Sequence, residues 1–501
     1  MTNGACCLRP RNIDPVGRPG MIVPAPPLHA GIDSQAKESL RAFYDGLASR
    51  PPRSSYFHRS MVRCLRFMVP PGAKVLEIGC GDGWLLRQLQ PARGLGIDFS
   101  PQMIGAARAA SDATPNVESA VADIEAVTFA EEFDYIVLSD LLGILRDVQT
   151  ALDNIRGACG PSTRVVVIHQ NILWEPLLRA AARLGLIAPR PPQNWLVTSD
   201  IATFARLCDL EVVSQKSRLL LPFFVPLLSW LANDCLAALP PLQLICWSHI
   251  LVLRALPRAG QRQASVSIII PCRNERGTIE DAVRRLPEFG SAQEIIFVNS
   301  HSTDGTFEEM QRVKAAYPDR NIKVLNQEGD RGKAGAVRLG FANAEHDLLI
   351  ILDGDLTVPP EDMPKFFEAA ASGRGEFING SRMVYPMEEG AMRTLNNLAN
   401  RFFSAALSLL IKQPVKDTLC GTKAVWQSHY REIAAGRALL GGLDPFGDFD
   451  LLLGAAKLNL KILDVPVRYR PRVYGKTNIR RFRDGWMLLR MTLRAYWRFN
   501  R

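Results

Sequence analysis

The chain reads as an α/β protein of two domains in tandem, and three observations carry that reading. Its 501 residues exceed what a single hydrophobic core ordinarily serves. Two strand-turn-helix patterns occur in series, one opening at Lys74-Val75-Leu76-Glu77-Ile78 and the other at Val266-Ser267-Ile268-Ile269-Ile270-Pro271. Between them Pro257-Arg258-Ala259-Gly260-Gln261-Arg262-Gln263-Ala264 has linker composition, which sets the linker at 258–265. Hydrophobic residues at 47% and charged residues at 22% are ordinary soluble values, so both domains are expected to be globular. The halves share strand alternation but no motif, so no internal repeat is expected.

Residues 1–30 are rich in Pro and Gly and lack an uninterrupted apolar core, so they are expected to be a disordered leader and not a secretion signal. The ten cysteines are scattered, with no C-x-x-C pair, which favours free thiols in a reducing cytoplasm over a zinc site or a disulfide framework. The formal charge of +10 lies in the tail. From Arg468 onward there are eleven Lys and Arg against the single acid Asp484, which accounts for all of it. That confinement argues against a nucleic-acid-binding body.

In the first half, Val75–Ile78 runs into Gly79-Cys80-Gly81-Asp82-Gly83 and then the helical Trp84–Leu89. Such a turn lets the backbone approach a nucleotide closely, without by itself distinguishing NAD from other adenosyl ligands. The next strand, Gly94-Leu95-Gly96-Ile97-Asp98, ends in a carboxylate suited to two ribose hydroxyls. A third acid, Asp123, sits where an adenine amino group would be read. These segments, with Phe133-Asp134-Tyr135-Ile136-Val137-Leu138-Ser139-Asp140, resemble the successive motifs of class I S-adenosylmethionine-dependent methyltransferases over roughly 40–257, within a domain set at 31–257. The resemblance implies a Rossmann-like seven-stranded sheet whose antiparallel pair would be Glu211–Leu221 and Trp247–Ala255. It implies that Glu77 and Gly79, Gly81 and Gly83 serve the cofactor, the glycines at its methionine end, with Asp98 on the ribose and Asp123 on the adenine.

Leu219–Leu253 is strongly apolar, and Cys235–Leu253 carries no formal charge, which meets the length rule for a spanning helix. Pro222, Pro226, Asn233, Asp234, Pro240, Pro241, Gln243 and His249 interrupt it, so the stretch is expected to be an insertion ahead of the domain's last strand. The Asn/Asp-Pro-Pro-Tyr/Phe tetrapeptide of enzymes that methylate base amino groups is missing, which argues against a nucleic-acid substrate. His169 follows Val165-Val166-Val167-Ile168 at a strand's carboxyl end and is either a catalytic base for an oxygen acceptor or a structural histidine.

In the second half, the apolar run Asp347–Ile351 ends in Leu352-Asp353-Gly354-Asp355-Leu356. Two carboxylates one residue apart offer hard oxygen ligands for Mg²⁺ or Mn²⁺ shared with a diphosphate, although Asp and Gly also form ordinary turns. Around them stand Cys272-Arg273-Asn274-Glu275, Ser302-Thr303-Asp304-Gly305-Thr306, Arg331-Gly332-Lys333-Ala334-Gly335 and Gly380-Ser381-Arg382. Polar loops and cations after successive strands surround an anion.

These five motifs in this order resemble family 2 glycosyltransferases of the GT-A fold, especially the polyprenyl-phosphate mannose and glucose synthases. The resemblance spans about 266–480. It implies that Asp353 and Asp355 hold the metal on a nucleotide-diphospho-sugar, that Lys333 and Arg382 assist the leaving group, and that Asn274, Glu275, Asn299 and Asp304 belong to the donor site. Relatives carry Val-Asp-Asp-Gly-Ser where this chain has Val298-Asn299-Ser300-His301-Ser302. An amide donates and accepts, which leaves UDP and GDP sugars both open. In relatives that act on hydroxyls, an acid placed like Asp448 removes the acceptor proton, giving inversion by in-line attack, whereas a phosphate acceptor needs no base. The alternative for Asp448 is a helix N-cap.

Tyr474-Gly475-Lys476-Thr477-Asn478-Ile479-Arg480-Arg481 resembles the basic segment that closes over the diphosphate in this branch, which implies donor contacts for Lys476 and Arg480. Beyond it, helical spacing over 481–501 places Arg490, Arg494, Arg498 and Arg501 on one stripe, with Trp486 and Trp497 flanking it. That pattern suits an anionic membrane surface, and equally a terminal helix packed on its own domain. The expected whole is a bifunctional cytoplasmic enzyme, peripheral at the inner face of the membrane. It would use S-adenosylmethionine, Mg²⁺ or Mn²⁺ and a nucleotide sugar on a polyprenyl phosphate, lipid or glycan acceptor. The alternative is a glycosyltransferase whose first domain is a non-catalytic S-adenosylmethionine-binding or interaction module.

Overall fold

The computed structural model describes residues 22–24, 34–48, 56–111, 114–185, 191, 193–194, 196–257, 262–329, 332–385, 394–437, 447–472, 474 and 481–500. The chain forms two compact units, Met1–Leu256 and Pro257–Arg501.

The first unit is built on seven strands: β1 (Lys74–Ile78), β2 (Arg93–Asp98), β3 (Val117–Val121), β4 (Phe133–Ser139), β5 (Cys159–Gln170), β6 (Leu210–Arg218) and β7 (Ser248–Ala255). Their spatial order is β3-β2-β1-β4-β5-β7-β6. All pairings are parallel except those of β7, which runs antiparallel to both β5 and β6. This is the expected Rossmann-like sheet closed by an antiparallel pair. Side-chain alternation supplies both its faces: Leu76 and Ile78 enter one apolar layer and Val75 the other. Strand β6 stops at Arg218, three residues before its expected end, because Leu219 turns the chain at φ 65°. The apolar stretch becomes short helical turns at Leu228–Trp230, Leu231–Leu236 and Pro240–Gln243 between β6 and β7. No helix among the described residues is long and apolar enough to cross a membrane. Within the segment expected to be a leader, Ile22–Pro24 pairs antiparallel with Val127–Phe129, and most of that segment lies outside the described residues.

The second unit has β8 (Val266–Cys272), β9 (Gln293–Asn299), β10 (Ile322–Asn326), β11 (Leu348–Ile351), β12 (Phe377–Ser381), β13 (Lys423–Trp426) and β14 (Ile462–Pro466). They lie in the order β10-β9-β8-β11-β13-β12-β14. Strand β13 runs antiparallel to both neighbours, and β14 is parallel to β12. Helices cover both faces of the central strands, so β8 and β11 read as continuous apolar runs: Ile268–Ile270 and Leu348–Ile351 are all buried. In both units the parallel strands end at one sheet edge, and the loops that leave that edge carry the polar motifs.

Candidate functional site

In the first unit the loop after β1 turns three times in five residues. Gly79, Gly81 and Gly83 have φ of 74°, 55° and 68°, a left-handed backbone that glycine adopts without steric cost. The turn brings amides to the sheet edge. Gly79 and Cys80 N–H both donate to Ile97 O, and Gly81 N–H donates to Asp98 Oδ2 at 2.9 Å. Ser100 N–H donates to Asp98 Oδ1 at 2.9 Å, so the carboxylate is held from both sides. Burial raises the Asp98 pKa against those amide bonds, which pull it down.

Beside this loop lies a cleft, open to solvent and lined by Gly79, Asp98, Phe99, Asp123, Ile124 and Leu145 among others. The structure thus brings together residues expected at the methionine, ribose and adenine positions. Lys37, from the helix Ser34–Leu47, donates to Asp123 Oδ2 at 2.8 Å and pairs with Glu125 at 2.5 Å. Burial opposes its charge, and the two carboxylates outweigh that to raise its pKa. Glu77 is 2% exposed and its pKa is pushed well above the carboxylate range by burial. Its Oε2 is a buried acceptor with no hydrogen-bond partner among the described residues. An orphaned carboxyl oxygen beside a glycine turn and an apolar-walled cleft suit an adenosyl cofactor with a cationic end.

His169 is not among the cleft's lining residues. It is 6% exposed and pairs across the ladder with His249, with ring centroids 5.3 Å apart. Burial, then the neighbouring imidazole, lower its pKa to about 4. Its Nε2 lies 3.5 Å from Thr198 Oγ1, and His249 Nδ1 lies 3.0 Å from Ser217 Oγ. The sequence reading passed over Lys37 and Phe99. Phe99 carried a signal in directly following Asp98, the carboxylate expected on a ribose.

In the second unit an ionic network gathers at the end of β11. Lys333, opening the helix Lys333–Ala342, pairs with Asp353 Oδ1 at 2.5 Å. Gly421 packs so closely on this pair that a Cβ there would strike both Lys333 Nζ and Asp353. Burial works against the Asp353 carboxylate, yet Lys333, Arg382 and Lys423 hold its pKa below the ordinary value. Asp355 Oδ1 accepts from Thr357 N–H and Oγ1, and Asp355 Oδ2 accepts from Arg472 Nη2 at 2.7 Å. The other arm of Arg472 donates to Glu275 Oε1 at 2.7 Å. Burial lifts Glu275 to a pKa of about 7 despite Arg472, and its Oε2 is buried without a partner among the described residues. Gly354 lies tight against the end of β8, and its carbonyl accepts from Thr278 Oγ1 at 2.6 Å.

Arg382 forms a two-pronged pair with Asp417 at 2.7 and 2.9 Å, with its guanidinium 5.0 Å from the Tyr469 ring centroid. Asp417 falls to a pKa of about 2 because that guanidinium and further donors outweigh burial. Arg382 therefore acts on Asp353 as a fixed charge. Asp448 is the first residue of the helix Asp448–Lys457, whose N-cap is Gly447, and its carboxylate pairs at 3.2 Å with the fully buried Lys423. Asp448 also supports the charge on Lys333, so the structure brings it into the same network.

The polar loops meet nearby. Asn299 donates to Asn326 Oδ1 at 2.7 Å and accepts from Ser302 N–H. Asn274, at φ 57°, takes Thr303 N–H on its Oδ1. Asp304 accepts from Thr306, and Tyr474 OH reaches it at 3.3 Å. Lys476 and Arg480 lie outside the described residues. Arg472 was missed in the sequence because a lone arginine in a basic tail carries no motif. Among the described residues no three His, Cys, Asp or Glu side chains form a metal cage by themselves. Two carboxylates that leave further positions to phosphate oxygens and water fit Mg²⁺ or Mn²⁺.

Fold and sites define two transferase units in one chain. Residues 75–162 match the methyltransferase domain family model, and residues 267–433 match glycosyl transferase family 2. The chain therefore carries a methyltransferase domain and a family 2 glycosyltransferase domain. It is 37% identical over 121 residues to the dolichol-phosphate mannosyltransferase of Pyrococcus furiosus, covering 24% of this chain and 33% of that protein. It is 26% identical over 241 residues to the glycosyltransferase AglD of Haloferax volcanii, covering 47% of this chain and 37% of that protein. The matches thus span about a third of each relative's length. The crystal structure of the N-methyltransferase NodS from Bradyrhizobium japonicum is matched at 18% identity with a TM-score of 0.32, covering 44% of this chain and 99% of that one.

Proposed function

We propose that the second unit transfers a sugar, with inversion, from a nucleotide diphosphate donor to a polyprenyl phosphate, and that the first unit transfers a methyl group from S-adenosylmethionine. The observation that supports the sugar transfer most directly is the run of paired charges Lys333–Asp353 and Asp355–Arg472–Glu275 at one sheet edge. Lys333 pairs with Asp353, and Arg472 is shared between Asp355 and Glu275, so a diphosphate with its metal can enter by exchanging these partners.

Asp353 and Asp355 would hold Mg²⁺ or Mn²⁺, which when bound neutralises the charge that develops as the sugar–phosphate bond breaks. Burial opposes the Lys333 charge, and Asp353 and Asp448 outweigh it to raise its pKa above the ordinary value. Its ammonium is placed to support the leaving diphosphate. Arg382, clamped by Asp417, adds a fixed positive field. Asp448 would take a proton from a hydroxyl acceptor, while a phosphate acceptor arrives ionised and needs only to be oriented. The name of the Pyrococcus relative, a dolichol-phosphate mannosyltransferase, supports the second case.

In the first unit Asp98 keeps lone pairs for the ribose hydroxyls after accepting two amides, and Phe99, Ile124 and Leu145 wall the adenine side of the cleft. The bound cofactor supplies the electrophilic methyl group. The C-terminal helix Arg481–Asn500 buries Leu488, Met491, Ala495 and Phe499 and turns Trp486, Arg490, Leu493, Arg494 and Trp497 outward, a face suited to the membrane that carries a polyprenyl phosphate.

A panel of UDP and GDP sugars tests the donor reading through thermal protection and hydrolysis, with and without Mg²⁺ or Mn²⁺. Metal-dependent protection by one donor, lost in Asp353→Ala, is expected. Protection that needs neither metal nor Asp353 would overturn it. Calorimetry with S-adenosylmethionine tests the first unit, where an absence of heat would reduce it to an interaction module.

A further inference from the structure

The insertion between β6 and β7 is built inside out. Phe223, Phe224, Leu227, Leu228, Trp230 and Leu244 are 58%, 63%, 84%, 50%, 55% and 70% exposed. The polar groups of the same segment turn inward and are satisfied there. The Asn233 carboxamide binds both N–H and C=O of Leu221 and also reaches Tyr56 OH, while Ser229 Oγ takes Val225 N–H and donates to Phe223 O. From the other side, Asn171 Nδ2 donates to Leu244 O and Cys246 O. Leu227, the most exposed of the set, sits at φ 60°, a backbone that a bulky side chain rarely adopts. A loop facing water would show the opposite arrangement, since water can satisfy its backbone and gains nothing from Phe and Trp.

We infer that this insertion docks the first unit onto a lipid bilayer, seating its aromatic and leucine side chains in the headgroup and upper acyl region of one leaflet. Backbone groups paired within the loop at Leu221, Val225, Leu228 and Ser229, with apolar side chains outward, suit contact with hydrocarbon. A protein partner would instead be met by a rim of hydrogen-bonding groups, roughly one bond per 100–200 Å². Charge agrees with lipid: Asp234 is the single formal charge between Leu219 and Leu253. The adjoining helix Glu175–Arg183 buries none of its residues and presents the exposed Arg183 together with Arg179, which is 67% exposed and paired with Glu175 one turn earlier. Trp174 ties that helix to the insertion, with its indole donating to Ile245 O at 3.1 Å and its ring 5.2 Å from Trp247. Arginines beside an uncharged aromatic tip complement an anionic headgroup layer.

The insertion leaves from the end of β6 and returns at the start of β7, and the antiparallel register puts both at the sheet edge where β1, β2 and β3 deliver the cofactor cleft. The docked face and the cleft therefore share one edge of the unit. The inference concerns membrane contact alone and holds whichever reaction the cleft supports.

The test is flotation of the full chain with phosphatidylcholine vesicles carrying a quarter phosphatidylglycerol, in a Trp486→Ser/Trp497→Ser background that silences the C-terminal helix. That background protein is expected to float, and adding Phe223→Ser/Phe224→Ser/Leu227→Ser is expected to reduce partition at least tenfold with an unchanged circular dichroism melt. A second readout uses single substitutions only: brominated lipids should quench fluorescence in the background protein more than in its Trp230→Phe derivative. Equal flotation of the two proteins, no quenching difference, or a dimer in vesicle-free solution that the serine variant splits would overturn the inference.

Discussion

The two units place ligands at the same kind of sheet edge and equip that edge in opposite ways. In the first, the edge is mostly backbone and apolar wall, with glycine amides, the pinned Asp98 carboxylate, Phe99 and Leu145, and one ion-paired cation, Lys37, held by Asp123 and Glu125. In the second it is a chain of ion pairs from Lys333 through Asp353, with Arg472 spanning Asp355 and Glu275. The difference matches what each edge is proposed to hold. An adenosyl cofactor with a small net charge is recognised by shape and a few hydrogen bonds. A diphosphate with a divalent ion brings charges that only matched charges can receive without a large desolvation penalty. A substitution that removes one charge should therefore hurt the second unit far more than the first.

The largest effect is expected at Asp353. Asp353→Ala removes a proposed metal ligand and leaves Lys333 without its nearest counter-ion, so glycosyl transfer should fall by about 10³-fold or more, the scale of losing a principal electrostatic stabiliser. S-adenosylhomocysteine affinity in the same protein should be unchanged. Gly421→Ala sharpens the point without removing a charge, because its methyl would displace both partners of the pair. Steady-state rates with the donor identified by the sugar panel, paired with calorimetry on the first unit, give both halves. Near-normal transfer in Asp353→Ala would erase the contrast between the units.

What the sequence disclosed follows the same division. Buried parallel strands print as apolar runs, so β8 and β11 were legible along with the acids that end them, and β1, though broken by Glu77, was marked by the glycine turn that follows it. Arg472 was not, because it reaches Asp355 across 117 positions and the return path exists only in the folded sheet. Lys37 meets Asp123 across 86 positions in the same way. Strand β13 carries Lys423, which alone would argue against a buried strand, and Asp448 in a distant helix makes that burial tolerable. Hydropathy marked 219–253 as unusual and its prolines set it as an insertion, but the sequence could not tell a loop with its polar atoms outward from one whose polar atoms are folded inward. That distinction rests on Asn233 and Ser229 finding their partners.

A smaller effect is expected at Asp98, the single carboxylate that both Gly81 and Ser100 hold in place. Asp98→Ala loses the ribose acceptor and loosens the glycine turn, so S-adenosylhomocysteine affinity should fall about a hundredfold, roughly 2.7 kcal/mol. Asp98→Asn keeps one acceptor oxygen and should lose less. Glycosyl transfer should be untouched in both, which isothermal calorimetry and the transfer assay report separately. An Asp98→Ala protein with native affinity would show that the glycine amides alone carry the site.

The smallest effect separates the units by pH. His169 has an ordinary pKa of 6.5 when unfolded, and burial followed by His249 lowers it to about 4 in the fold. Between those values the unfolded chain binds the extra proton, so this group's contribution to stability is intact above about pH 6.5 and is lost as pH falls toward 4. The shift corresponds to roughly 2 kcal/mol after allowance for its precision. Glu275 in the second unit has the opposite sign. Burial raises it from 4.5 to about 7, so the folded state holds the extra proton in that interval and stability declines as pH rises through it. Urea titrations of the full chain at pH 5 and pH 7.5 should show a first-unit midpoint that drops at the lower pH, with a clearly smaller drop in His169→Gln. Identical pH responses in the two proteins would mean that the imidazole finds its proton in the folded state as readily as in the unfolded one, and that burial at the end of β5 does not govern it.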